Sequence, residues 1–309
     1  MKREKTLVIV SYALVYLVWG STYFFIKAAV TTIPAPLVVS FRFLAGSFLL
    51  AALAMRRGAL KQLPSLKEVG GSALIGVFLL LLGNGLITIA EKTIPSYTAS
   101  LIIACMPFYI ALFNFILYRT GVSAIRFAGV AVGVAGIGAL LYDGNSVAAS
   151  LSPAVLIAVG GALAWGFGTS VAKALPKAKD PILSTAIQML VAGISAFAVG
   201  AAREPELLGK LAGATAWSLF GLAYLAVFGS IALVAYNHLL AVEPSFRISS
   251  YSLVNPLIAV LLGLAAGEKA TPWLFFGVPL VLAGLTLMLY GDALLTRLAA
   301  RKESGPTAP

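Results

Sequence analysis

Long apolar runs, separated by short polar or basic stretches, fill the chain from end to end. A helix needs roughly 20 mostly apolar residues to cross ~30 Å of hydrocarbon. Ten stretches reach that length: Leu7–Lys27, Pro36–Met55, Val69–Ala90, Tyr97–Tyr118, Val122–Tyr142, Ser152–Ala172, Pro181–Ala201, Thr215–Leu240, Phe246–Ala266 and Thr271–Tyr290. The pattern predicts an all-α membrane protein with ten transmembrane helices. No soluble domain fits, because the longest polar connection, around Arg203–Gly213, spans about ten residues. The basic start Met1–Lys5 has the look of a signal peptide, but the apolar run after it is too long and no Ala-x-Ala site follows. It reads as an uncleaved first helix.

Charge orients the spans. With both termini in the cytoplasm, the cytoplasmic segments hold 15 Lys and Arg, among them Lys2, Arg56, Lys177 and Arg301. The external segments hold four: Lys92, Arg203, Lys210 and Lys269. Such an excess of basic residues marks the cytoplasmic side. Composition agrees, with 60% of the 309 residues apolar and 11% charged, against ~25% charged in soluble domains. A net charge of +11 would suggest nucleic acid in a polar chain; here the bilayer accounts for it, and no nucleic-acid partner is expected. Cys105 is the single cysteine, which excludes an intrachain disulfide and a cysteine-based metal site. No cofactor is expected. The polar stretch Arg301–Pro309 reads as a disordered tail.

The two halves of the chain repeat. Trp19-Gly20 with Lys27 returns as Trp165-Gly166 with Lys173 at an offset of 146, and Gly83-Asn84 returns as Gly229-Ser230 at the same offset. Pro107 matches Pro256 at 149, and Gly129 with Gly136 matches Gly277 with Gly284 at 148. Ser123 and Thr271, both suited to cap a helix, also match at 148. The halves read as two five-helix repeats, 1–147 and 148–309. Because five is odd, the second is inverted in the membrane. Inverted repeats build secondary transporters, with the site near the midplane and access alternating as one set of helices rocks.

Trp19-Gly20-Ser21-Thr22 with Lys27, Phe41-Arg42-Phe43, Gly83-Asn84-Gly85, Met106-Pro107, Ala164-Trp165-Gly166, Gly229-Ser230, Asn255-Pro256 and Gly267-Glu268 together resemble the signature blocks of EamA-type members of the drug/metabolite transporter superfamily. The resemblance covers nearly the whole chain. It implies a basket-shaped, ten-helix carrier of the bacterial inner membrane. Its central cavity would be lined by the first, third, fourth, sixth, eighth and ninth helices. It also implies export of amino acids, other small metabolites or toxic compounds. One departure stands out: Gly267-Glu268 precedes the last helix of the second repeat, but the first repeat has Tyr118-Arg119 there.

Several residues are candidates for transport. Tyr12, Tyr16, Trp19, Tyr23 and Lys27 share a face of the first span, as Ala158, Ala162, Trp165, Thr169 and Lys173 do in the sixth. Facing aromatic residues can stack on a flat or cationic ligand; a packed seam is the alternative. Asn84, Thr88 and Glu91 align in the third span, and Ser230, Val234 and Asn237 in the eighth. Polar groups in hydrocarbon are costly, so these faces point inward. Pro107 and Pro256 deprive the carbonyls of Ile103 and Ser252 of partners and are hinge candidates. Tyr109, Tyr251 and Asn255 flank them. The expected substrate cavity is therefore Trp19, Tyr23, Asn84, Thr88, Tyr109, Trp165, Ser230, Tyr251 and Asn255.

The ionisable residues have competing readings. Glu91 is either a cation or proton site, or a solvated helix-end carboxylate beside Lys92. His238, the single histidine, either shuttles protons or sits at the headgroup surface. Arg42 lies about two turns into the second span, where a charge is costly. It either holds a carboxylate with paired hydrogen bonds, or bonds helix-end carbonyls or snorkels outward, the latter as Lys27 and Lys173 are expected to do. Gly129-x-x-x-Gly133 suits either a dimer face or close packing within one subunit; the second, and a monomer, is the expectation.

The leading function is a secondary transporter that exports a small-molecule substrate, amino acids foremost, with a multidrug or toxic-compound exporter as the alternative. No nucleotide-binding motif is present in the sequence. An intramembrane enzyme would need paired Asp, a Ser-His pair or a metal cluster, whereas Asp143, Asp180 and Asp292 all lie at span ends. A lipid flippase would also suit an inverted repeat.

Overall fold

Capping residues and prolines cut the apolar runs into helices. The computed structural model describes residues 2–59, 63–121, 123–140, 142, 152–243, 248, 250–269 and 271–303. Val122, Asp143 and Phe246 lie outside the described residues, as does the tail beyond Glu303. In chain order the helices are α1 (Lys2–Val30), α2 (Ala35–Arg56), α3 (Leu66–Gly76), α4 (Gly85–Ala90), α5 (Ser96–Ala104), α6 (Met106–Tyr118), α7 (Ala124–Leu140), α8 (Pro153–Val171), α9 (Pro181–Arg203), α10 (Ala216–Val242), α11 (Tyr251–Ala265) and α12 (Leu274–Glu303). A π-helical segment, Val77–Asn84, joins α3 to α4 in one rod, and a 3₁₀ turn, Leu208–Gly213, precedes α10. No strand occurs among the described residues.

Short polar links specify where the rods begin. Ser65 and Glu68 form a reciprocal capping box on α3. Ser152 caps α8, Asp180 caps α9 through Leu183 N–H at 2.8 Å, and Thr215 caps α10. Pro36, Pro153 and Pro181 occupy first-turn positions, where a missing N–H costs nothing.

Eight of the helical rods are long and apolar enough to cross a membrane, and Ala124–Ala139 and Tyr251–Ala265 are shorter apolar helices. Three details depart from ten plain rods. The third span carries the π segment. The fourth breaks at Cys105, with Pro107 in the first turn of α6, whereas Pro256 lies inside α11. The two prolines, expected as matching kinks, are thus used differently. The last helix runs past Tyr290 to Glu303, so Arg301–Glu303 are helical and not a disordered tail; the Ala-, Leu- and Arg-rich run from Ala293 favours helix continuation.

Helices of one half pack on helices of the other, and the pattern survives exchange of the halves. α1 lies on α10 and α11, while α8 lies on the π segment and α6; α2 meets α9, α5 meets α11 and α7 meets α12. Ser47 Oγ donates to Ala186 O at 2.8 Å across α2–α9, and Ser218 Oγ donates to Ala28 O at 2.8 Å across α1–α10. At α7–α12, a Cβ on Gly284 would fall 2.6 Å from Gly129 O and 2.7 Å from Gly133 Cα. The Gly129-x-x-x-Gly133 stripe therefore receives α12 of the same subunit. Large apolar side chains such as Leu17, Phe48, Ile194, Leu261 and Phe275 are exposed on the outside of the bundle, where lipid would cover them.

Candidate substrate pathway

A small cavity of about 40 Å³ sits at the centre of the bundle. α1 supplies Trp19, Thr22 and Tyr23, α2 supplies Arg42 and Phe43, and the π segment supplies Leu80 and Asn84; Trp165, Gly229 and Tyr251 come from the second half. Arg42 is 5% exposed. Its Nη1 donates to Asn84 Oδ1 at 2.9 Å, and its guanidinium lies 4.8 Å from the Phe43 ring centre. The hydroxyl of Thr88 donates to the Asn84 carbonyl at 2.9 Å, which ties the next turn to this pair. Gly229 makes room for the guanidinium, because a Cβ there would stand 3.2 Å from Nη2. Arg42 thus points inward and does not snorkel; Asn84, on another helix, provides the acceptor that a lipid-facing arginine would lack.

Four aromatic rings close one side of this cavity. Trp19 meets Trp165 edge-on at 5.7 Å, Tyr236 at 4.7 Å and Tyr251 at 5.5 Å, and Tyr236 lies 6.1 Å from Tyr251. The two tryptophans face each other across the halves, as their matching repeat positions suggest, and both line the cavity. Beyond them is a vestibule of about 290 Å³, lined by Asn114, Thr169, Lys173, Lys177, Gln188, Asn237 and both tyrosines. Asn237 Nδ2 donates to Thr185 Oγ1 at 2.7 Å, and Lys177 Nζ donates to Ala172 O at 2.9 Å. Partial burial, reinforced by Lys173, holds the Lys177 ammonium below the usual lysine range.

The opposite end is shut. Lys27 Nζ donates to the carbonyls of Glu91 at 2.7 Å and Ile94 at 3.0 Å, capping the C-terminus of α4. Lys27 therefore binds protein and does not snorkel, whereas Lys173 is exposed as expected. With the turn drawn under Lys27, Glu91 is 0% exposed, and neither carboxyl oxygen has a hydrogen-bond partner among the described residues. This overturns the reading of Glu91 as a solvated helix-end carboxylate. Nearby, both oxygens of Glu268 accept from Ser96 N–H at 3.1 Å, so the second half caps α5 of the first. Gly267 makes that turn with φ +85°, a value glycine tolerates best.

Trp19, Tyr23, Asn84, Trp165 and Tyr251 converge at the centre as the sequence suggests. The other candidates are placed elsewhere. Thr88 sits behind Asn84, and Ser230 is buried toward Gly46 of α2 with its hydroxyl on Ala226 O. Tyr109 packs beside Gly166. Asn255 is buried on α11 and lines neither cavity. His238 is half-buried and likewise lines neither. Tyr236 and Gln188 carry no distinguishing mark in the sequence, and Thr22 stands there only within the Trp19-Gly20-Ser21-Thr22 block. Arg42 carries a clear signal in the sequence: it is the sole charged residue between Pro36 and Met55.

A bundle that is apolar outside, and that holds a buried guanidinium behind aromatic rings between a vestibule and a closed end, has the build of a membrane transport protein. The sequence signature of the EamA-like transporter family matches residues 6–142 and again residues 152–290, and the chain belongs to this family. It is 35% identical over 271 residues to the uncharacterized inner membrane transporter YedA of Escherichia coli (strain K12), covering 85% of each chain. It is 24% identical over 282 residues to the uncharacterized transporter YvbV of Bacillus subtilis (strain 168), covering 89% of each. A solved crystal structure shares the fold, with a TM-score of 0.66 at 18% identity over 96% of this chain and 99% of its own.

Proposed function

We propose that this protein is a secondary carrier in the inner membrane that exports small carboxylate-bearing metabolites, amino acids foremost, by alternating access. One observation carries the reading: Arg42, buried and held by Asn84, lines the central cavity beside Trp19, Trp165 and Tyr251, and Tyr251 also lines the vestibule. A buried guanidinium receives a carboxylate well, since charge-assisted, paired hydrogen bonds are the strong ones. The surrounding rings suit an apolar side chain. The short helices Ala124–Ala139 and Tyr251–Ala265 complete ten spans in this reading, in inverted repeats 1–147 and 148–309. Exchange of the packing pattern between the halves supports that arrangement. Lysines at the vestibule favour a cytoplasmic side for it, and the shut far end then reads as an inward-facing state.

The aromatic plug alone would also suit a multidrug exporter. Cationic drugs, however, would meet the like charge of Arg42, which favours the carboxylate reading. Counterflow of radiolabelled amino acids in proteoliposomes tests it. Saturable exchange of at least one amino acid is expected; a carrier blind to the whole panel, but active on labelled lipid or cationic dyes, would overturn it.

The same reading predicts that Trp19→Ala and Trp165→Ala each weaken amino-acid binding roughly 3- to 10-fold, from loss of ring contacts worth ~0.5–1.5 kcal/mol. Ligand-induced thermal stabilisation of the detergent-purified protein measures it, because bound ligand raises apparent stability by mass action. Unchanged saturation curves in both variants would remove the rings from the binding site.

A further inference from the structure

We propose that Glu91 is a proton-binding site that locks the Lys27 end: the carboxyl is neutral while that end is shut and ionised when it opens to water. The inference rests on the carrier reading only in taking that this end opens. Its basis is geometric. Glu91 is sealed from solvent, and both of its oxygens are orphaned. An isolated ionised carboxylate in such a place costs far more than a neutral acid, so burial selects the protonated form. Ile87, one helical turn deeper, lines the inner cavity, so the site lies just outward of the central space.

The charged neighbours do not cancel this burial. Lys27 and Tyr23 face Glu91 from α1, Arg42 from α2 and Glu268 from the turn after α11. α8, which also packs on α4, has no ionisable side chain. Lys27 directs its ammonium at backbone carbonyls, including that of Glu91 itself, and Arg42 directs its Nη1 at Asn84. Neither cation forms an ion pair with the carboxyl, and Glu268 adds repulsion. Glu91, one residue beyond the apolar span Leu66–Ala90, accordingly lies well above the usual carboxylate range, chiefly through burial.

The sign of the pH effect follows. For an acid raised by burial, the closed arrangement has its full advantage below the ordinary carboxylate range, where the open form is also protonated, and loses it as pH rises from there through the raised pKa. The balance is simple. When the Lys27–carbonyl contacts part, water reaches Glu91, the carboxyl O–H bond breaks and the proton leaves to water; closing again takes one proton back. External acid therefore holds this end shut, and external base releases it.

Two readouts that need no transported solute test the proposal. The first is infrared spectroscopy of the detergent-purified protein near neutral pH. It should show a protonated-carboxyl C=O band that is lost in Glu91→Gln, shifted in Glu91→Asp and retained in Glu268→Gln, since Glu268 is already hydrogen-bonded. The second is labelling of Ile94→Cys, a buried gate position, by a membrane-impermeant maleimide, normalised to the exposed neighbour Thr93→Cys to remove the thiol's own titration. The normalised rate should rise with pH, by at most tenfold per unit for one linked proton, and Glu91→Gln should make it flat. An identical carboxyl band in wild type and Glu91→Gln, or an undiminished pH response in that variant, would overturn the lock. Failure of amino-acid counterflow would leave both readouts standing, so the two proposals fail separately.

Discussion

Arg42→Gln is expected to lower affinity for free amino acids about 10- to 100-fold and to erase the preference for a free amino acid over its carboxamide. The size follows from hydrogen bonds to charged groups, ~1.5–3 kcal/mol, at a tenfold change per ~1.4 kcal/mol. The direction follows from geometry: Arg42 is the cation lining the inner cavity, and Asn84 fixes one edge of its guanidinium while leaving the other edge toward Gly229. Arg42→Lys keeps the charge but not the planar fork, so it should recover only part of the affinity. Competition of amino acids and their amides for counterflow, compared in wild type and both variants, measures the effect. Equal loss for acid and amide would mean that Arg42 supports the fold and does not read the carboxylate.

Gly284→Ala should destabilise the protein by about 1–3 kcal/mol, the usual range for overpacking, while Gly138→Ala should leave it unchanged or gain up to ~1 kcal/mol from helix propensity. The same added methyl has opposite effects because of what it meets. At Gly284 it would strike the backbone of Gly129 and Gly133, which cannot rotate away; at Gly138 nothing lies within 4 Å. Thermal unfolding and the yield of monodisperse protein compare the two. Normal stability of Gly284→Ala would show that α7 and α12 are not held at this distance. A change in oligomeric state with intact stability would move the glycine stripe to an interface between copies.

Hydrophobic run length made the spans readable, because the demand of a bilayer for about twenty apolar residues leaves few alternatives. The doubled motifs made the family readable, and Trp19, Tyr23, Asn84, Trp165 and Tyr251 do meet at the centre. What escaped was whatever a distant partner decides. Arg42 has two destinations in sequence, and Asn84, 42 residues away, selects one. Glu91 sits beside Lys92 and reads as wet, but Lys27, 64 residues before it, draws the turn inward and buries the carboxyl. Ser230 matches Asn84 in the repeat, yet its hydroxyl turns back onto its own helix at Ala226. The run Val77–Gly83 has no polar residue to mark an irregular turn, so wide and ordinary helices look alike there.

That run has a consequence for the two halves. In the π segment, Gly85 N–H reaches back to Leu80 O, five residues earlier, and each residue advances around the axis by less than in an α-helix. Asn84, Thr88 and Glu91 are therefore out of phase with the base of their own rod, while the corresponding helix of the second half, Ala216–Val242, keeps a single phase throughout. Interchanging the halves cannot return the same molecule. Under the alternating access proposed above, its two end states would be unequal partners, and the empty carrier would have a built-in resting side before any solute or proton arrives.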